Sequence, residues 1–162
     1  MKFFFPILLF IGLAGACRSP KPVASKTAAP APSPTRQPVQ PVAGIRWEEG
    51  ERLIPVLEQA TRQKKPVFVE FYASWCAPCK VMEQEVFSQP SVFDLLNTRF
   101  LNFKTDFDSA AGRTIAEIYE VEKLPTVLFL APNGVVLERY TGMTTASNLQ
   151  SIANTALSKW KQ

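Results

Sequence analysis

Two cysteines three positions apart, Cys76 and Cys79, are the residues of this 162-residue chain whose spacing most directly suggests a reaction. They lie in Trp75-Cys76-Ala77-Pro78-Cys79-Lys80. The apolar run Val67–Tyr72 before them reads as a buried strand, and Val81–Phe87 after them reads as a helix. At such a junction the pair can close a short disulfide across one helical turn. Cys76 would then stand at the helix N-terminus, where unpaired N–H groups and the helix dipole favour a thiolate. A thiolate attacks disulfides and a thiol does not, so thiol–disulfide exchange is the chemistry expected here. The bland alternatives are an inert structural pair or half of a zinc site. The chain has no histidine and no second C-x-x-C, so it cannot complete four zinc ligands. The lack of histidine also excludes His-based general bases.

The elements that must position the pair follow from periodicity. Glu48–Gln63 carries Leu53, Ile54, Leu57 and Ala60 at helical spacing, with Pro55 arguing for a late start or a kink. Ile45–Trp47 reads as a short leading strand. The motif helix should run from Ala77 to Phe87, and Ser91 should cap a further helix ending at Arg99. Phe100–Asp106 reads as a strand and Ser109–Tyr119 as a short helix. Thr126–Leu130 and Val135–Tyr140 form a hairpin across Pro132-Asn133-Gly134. A last helix starts at Thr144 or Thr145 and runs to Lys159. The fold class expected is α/β, a mixed sheet with helices on both faces. Phe71, Tyr72, Phe100, Phe103 and Phe107 are read as core.

The first 44 residues are a different kind of chain. Met1-Lys2, the apolar stretch Phe3–Leu13 and the small residues Ala14–Ala16 have the layout of a secretory signal. The stretch is shorter than the roughly 20 residues a membrane span needs. Leu13-Ala14-Gly15-Ala16-Cys17 resembles the bacterial lipobox, which implies lipid modification of Cys17. Leu13 stands one place further from the cysteine than that pattern has it, and simple cleavage after Ala16 would leave a free thiol. Residues 17–44 hold half of the 14 prolines and read as a semi-extended tether with a reach of up to about 80 Å. The division expected is therefore a signal over 1–16, a linker over 17–44 and one domain over 45–162. The net charge of +4 belongs to the leader and linker, because residues 45–162 carry 13 basic and 14 acidic side chains. A near-neutral domain offers no electrostatic footprint for nucleic acid.

The domain resembles the thioredoxin superfamily. The strand and motif Val67–Lys80, the Leu124-Pro125-Thr126 turn and the Pro132-Asn133-Gly134 hairpin followed by Gly142 carry the likeness. Lys65-Pro66-Val67, Glu85-Val86-Phe87-Ser88 and the helix after Pro90 are similar to exported thioredoxin-like domains of the kind found at the C-terminus of the disulfide reductase DsbD. The resemblance implies a thioredoxin fold and reversible disulfide exchange with protein substrates, with no bound cofactor and no metal. It implies Cys76 as the nucleophile and more exposed thiol, and Cys79 as the buried resolving thiol. It implies Pro125 as a cis-proline, with Leu124, Trp75, Ala77 and Pro78 bordering the bound substrate. By the same likeness, Pro78 between the cysteines favours a reducing poise. Glu70 interrupts an apolar strand, where an unpaired carboxylate is costly. The family has an Asp there that assists the buried cysteine. Glu70 could instead reach the sheet edge or pair with Lys104, which resembles the family lysine beside that acid. The expectation is a monomeric, lipid-anchored disulfide reductase in the bacterial periplasm or another extracytoplasmic space, supplied with electrons by a membrane-embedded donor of DsbD type. Net oxidation or isomerisation of disulfides, and a non-catalytic binding module, are the rival readings.

Overall fold

The computed structural model describes residues 44–161. The expected signal over 1–16, nearly all of the linker and Cys17 lie outside the described residues. The described elements are α1 (Leu53–Gln63), β1 (Val67–Tyr72), α2 (Ala77–Met82, continued by a π-helical turn Glu83–Phe87), α3 (Pro90–Arg99), β2 (Leu101–Asp106), α4 (Ala110–Ile118), β3 (Thr126–Leu130), β4 (Val136–Thr141) and α5 (Ala146–Trp160).

The sheet order is β2-β1-β3-β4. β2 runs parallel to β1, whereas β3 and β4 are antiparallel additions. This is the mixed sheet expected, because a strand–helix–strand crossover followed by a hairpin can produce little else. β1 is central and buried on both faces. Val67, Val69 and Phe71 join Leu53, Val56 and Ala60 of α1 and Ile115 and Ala116 of α4 on one side. Phe68 packs on the other side with Met82, Val86, Phe87, Val92 and Leu96, and with Leu149, Ala153 and Leu157 of α5. Phe68 and Phe129 lie 5.2 Å apart between ring centroids, at the middle of that second layer.

Two local expectations are corrected and one alternative is decided. α1 begins late, at Leu53, as Pro55 argued, which puts Pro55 in the first turn, where its missing N–H leaves no helical bond unmade. Gln89, not Ser91, precedes α3, because Pro90 takes the first helical position and holds the residue before it extended. Ser91 Oγ instead accepts from Gln150 Nε2 on α5 at 2.8 Å. Ile45–Trp47 forms no strand. A single parallel bridge joins Trp47 to Asn102 on the edge of β2.

One close approach matters for the site. Ser109 caps α4, its Oγ accepting from Gly112 N at 2.9 Å and donating to Asp106 O at 2.9 Å. A side chain at Gly112 would put its Cβ inside contact distance of the Asp106 carbonyl. The end of β2 and the start of α4 can meet only over a glycine. We expect Gly112→Ala to lower the stability of the oxidised domain by about 1–3 kcal/mol, read as a reduced urea midpoint with an unchanged m-value. A wild-type midpoint would show that the turn yields at no cost.

Candidate active site

Cys76 leaves β1 through a turn in which its N–H donates to Ala73 O at 3.1 Å. It occupies the N-cap of α2, and its Sγ accepts from Cys79 N at 3.2 Å. Pro78 stands in the first turn, where its fixed φ suits the helix and no N–H is needed. The two cysteines are joined in a disulfide with Cα atoms 5.3 Å apart. Both are buried, Cys76 at 2% and Cys79 at 3% exposure. The expectation that Cys76 would be the more exposed thiol is therefore corrected for the disulfide state. Ala73 packs with the pair, and Tyr72, Phe107 and Leu124 close against it from three segments. Tyr72, read as a core residue, borders the site instead, while Phe107 packs against both the core and the cysteines.

Trp75 is 66% exposed beside the buried disulfide. Its indole N–H donates to Asp108 Oδ2 at 2.6 Å. Asp108 is itself held, its N–H donating to Asp106 Oδ1 at 3.0 Å and its carbonyl accepting from Arg113 Nη1 at 2.9 Å. Sequence reasoning missed Asp108, whose only signal was a polar turn after a strand. Ala77 is exposed and Pro78 half-buried next to it. The Leu124–Pro125 bond is cis. The Pro125 carbonyl accepts from Gly142 N at 2.8 Å, which ties this turn to the end of β4.

Glu70 lies on the same face of β1 as Phe68, the face covered by the motif helix, by the two-residue alternation of the strand. It is only 4% exposed. Burial pushes its carboxyl up to about 8; the Glu83 carboxylate adds to that rise and the Lys104 ammonium opposes it. Glu70 and Lys104 are direct partners in the β1–β2 register. The ion pair within reach of Lys104 is nevertheless with Glu83, Nζ to Oε1 at 3.9 Å. The alternative of a Glu70–Lys104 ion pair is thereby corrected, because the lysine leans towards the more exposed acid. Glu83 was missed because a surface glutamate in a helix carries no sequence signal of what it faces. It stands one turn beyond Cys79 on the helix that carries both.

The sequence profile of the thioredoxin-like domain family matches residues 55–157, which takes in the disulfide, Glu70 and Pro125. The chain belongs to this family. Its fold is the thioredoxin fold, a four-stranded mixed sheet with helices on both faces. The thioredoxin-like domain is 36% identical over 109 residues to the thiol:disulfide interchange protein DsbD of Pseudomonas fluorescens, an alignment covering 65% of this chain and 18% of that protein. The chain thus spans about a fifth of the length of the curated relatives it matches. A thioredoxin from Thermus thermophilus is 26% identical with a TM-score of 0.64, covering 72% of this chain and 90% of that one. The oxidised C-terminal domain of DsbD from Neisseria meningitidis shares the fold at 24% identity, with a TM-score of 0.55 and coverage of 64% and 92%. With its C-x-x-C disulfide, the thioredoxin-like domain is a thiol–disulfide oxidoreductase.

The buried carboxyl has a stability signature. Its folded value lies above its ordinary 4.5, so the folded protein holds a proton that the unfolded chain releases. This contribution is whole below about pH 4.5 and is lost as pH rises towards 8. We expect Glu70→Gln to match the wild type near pH 4.5 and to exceed it above pH 8, by about 5 kcal/mol. Urea unfolding of the oxidised protein across this range measures the difference. A constant offset at every pH would contradict a proton held at Glu70.

Proposed function

We propose that this domain is a tethered reductase of disulfides in proteins outside the cytoplasm, cycling between a Cys76/Cys79 dithiol and the disulfide. The observation that carries the reading is the Cys76–Cys79 disulfide at the start of α2, on the sheet face that also buries Glu70. In the reduced domain the Cys76 thiolate attacks one sulfur of a substrate disulfide, forming a mixed disulfide and releasing the other substrate sulfur as a thiolate. Cys79 passes its proton to Glu70 and attacks Cys76 Sγ. The second substrate sulfur leaves and takes up a proton. The domain ends oxidised and the substrate reduced by two electrons.

Glu70 suits the proton step because a carboxyl near 8 can both accept and return a proton around neutrality. Lys104 acts on that carboxyl from the neighbouring strand. Trp75, Ala77, Pro78, Leu124 and Pro125 border the place where the substrate chain would lie, with main-chain pairing beside Pro125 in the manner of an added strand. What faces Cys76 supports the reducing direction. One N–H, that of Cys79, points at its sulfur, and Pro78 adds none. A thiolate so sparsely stabilised gives the reduced form little advantage, which is the condition for a reducing rather than an oxidising couple.

The setting belongs to the same proposal. The leader and Cys17 suit a lipid-anchored envelope protein, and residues 17–44 suit a tether. Working outside the cytoplasm, the disulfide needs a membrane-embedded dithiol donor of DsbD type to regenerate the reduced form. Among the described residues no helix is long and apolar enough to cross a membrane.

We expect Cys79→Ser to accumulate mixed disulfides through Cys76 in cells, visible on non-reducing gels and dissolved by dithiothreitol. Cys76→Ser should form none and should lose insulin-disulfide reduction. Equilibration with glutathione should place the couple nearer to about −270 mV than to about −120 mV. Absence of adducts sinks the cycle, whereas a potential at the oxidising end overturns only its direction.

A further inference from the structure

The segment Gly44–Glu48 forms no strand, yet it is held by more polar contacts than its position at the edge of the fold requires. Asn97 Nδ2 donates to Gly44 O at 2.9 Å, and Asn97 Oδ1 accepts from Arg46 N at 2.8 Å. Asn102 Nδ2 donates to Arg46 O at 3.2 Å, and Glu48 N donates to Asn102 O at 2.7 Å. Two asparagines and the edge of β2 thus determine where one large side chain falls. That side chain is Trp47. Its ring stacks on Phe68 at 6.0 Å and meets Phe87 edge-on at 6.2 Å.

The same ring reaches Lys104. The Lys104 Nζ lies 5.5 Å from the ring centroid of Trp47 and 5.5 Å from that of Tyr72. Lys104 is a half-buried lysine on a strand flanked by β1 on one side and by the Trp47 segment on the other. A free lysine there would extend into water, because ordering its long side chain costs rotamer entropy. Two aromatic faces and the Glu83 carboxylate at 3.9 Å hold it back instead. We infer that Trp47 is a positioning residue, clamping the Lys104 ammonium with Tyr72 so that it stays over the acidic pair formed by Glu70 and Glu83. The inference deepens the reading of Glu70 as the proton carrier and rests on it.

The groups that face this ammonium can be named by element. β1 supplies Glu70 and the Tyr72 phenol and the π-helical turn after α2 supplies Glu83, while on β2 Asp106 acts on the Tyr72 phenol. β3 presents Val127 opposite Glu70 and adds no charge. Lys104 is therefore the cation that acts on Glu70 against Glu83. Releasing it leaves two carboxyls facing each other without it. Both its direct attraction for Glu70 and its neutralisation of Glu83 are then weakened, and both losses make the Glu70 carboxyl harder to ionise.

The test is a carbon-13 NMR titration of the Glu70 carboxyl in the full chain. Trp47→Leu should move the Glu70 midpoint upward by about half a pH unit, and Lys104→Met by at least as much. Trp47→Phe, which keeps an aromatic face, should stay near the wild type. The double variant Trp47→Leu/Lys104→Met should sit no higher than Lys104→Met alone, since both act through one ammonium. If Trp47→Leu keeps the wild-type midpoint while Lys104→Met moves it, or if the two shifts add, the inference is overturned. Should Trp47→Leu fail to fold, Trp47→Met fills the space without a ring and serves in its place. The pH profile of insulin-disulfide reduction separates this inference from the reading beneath it. A basic limb that persists in Glu70→Gln removes Glu70 as proton carrier, while the titration still judges what holds Lys104.

Discussion

Glu70 stands in the middle of a central strand with 4% of its surface exposed, where a charged carboxylate loses most of its hydration. A protein can meet that cost by neutralising the acid, by pairing it, or by surrounding it with donors. This one leans on the first and tempers it with a lysine across the strand pair. The choice reaches into the rest of the fold. It requires the motif helix to cover that face of β1, since burial is the largest cause of the rise. It also requires β2 to lie parallel beside β1 in the register that sets Lys104 opposite Glu70.

The disulfide depends on a second set of contacts, drawn from segments far apart in sequence. Tyr72 comes from the end of β1, Phe107 from the end of β2 and Leu124 from the turn before β3. These three close over sulfurs that the helix places but does not cover. The loop after β2 does a further job. Its tight join to α4 over Gly112 fixes Asp108, which holds the exposed indole of Trp75 beside the cysteines. A turn and a glycine thus shape a rim whose chemistry belongs to a different element.

Legibility differed by residue for physical reasons. The strand Val67–Tyr72 and the helix after it could be read because continuous apolar runs and C-x-x-C punctuation are local properties. The start of α1 was left between a late start and a kink, because Pro55 tolerates either until packing selects one. Ser91 was misread as a cap because a serine before an apolar run is a good local signal that Pro90 overrides. Glu83 and Asp108 were missed altogether, and Trp47 was read only as the end of a short strand. Each acts on a partner at least 21 residues away, Glu83 and Asp108 across 21 and 33 positions and Trp47 across 57. No periodicity records such a meeting.

The amino-acid sequence alone determined the class of chemistry, the order of the elements and the mixed sheet. Two thiols at that spacing, a strand feeding a helix and a hairpin with a glycine at its tip are each decided within a few residues. Only the tertiary structure decided that both sulfurs are covered in the disulfide state, that Lys104 pairs with Glu83 rather than Glu70, and that the segment Gly44–Glu48 carries a tryptophan to the edge of the acidic pair. Burial and electrostatic neighbourhood are properties of what converges from distant parts of the chain. The reactive groups can be named from their own residues. What tunes them depends on groups that become neighbours only once the sheet has formed.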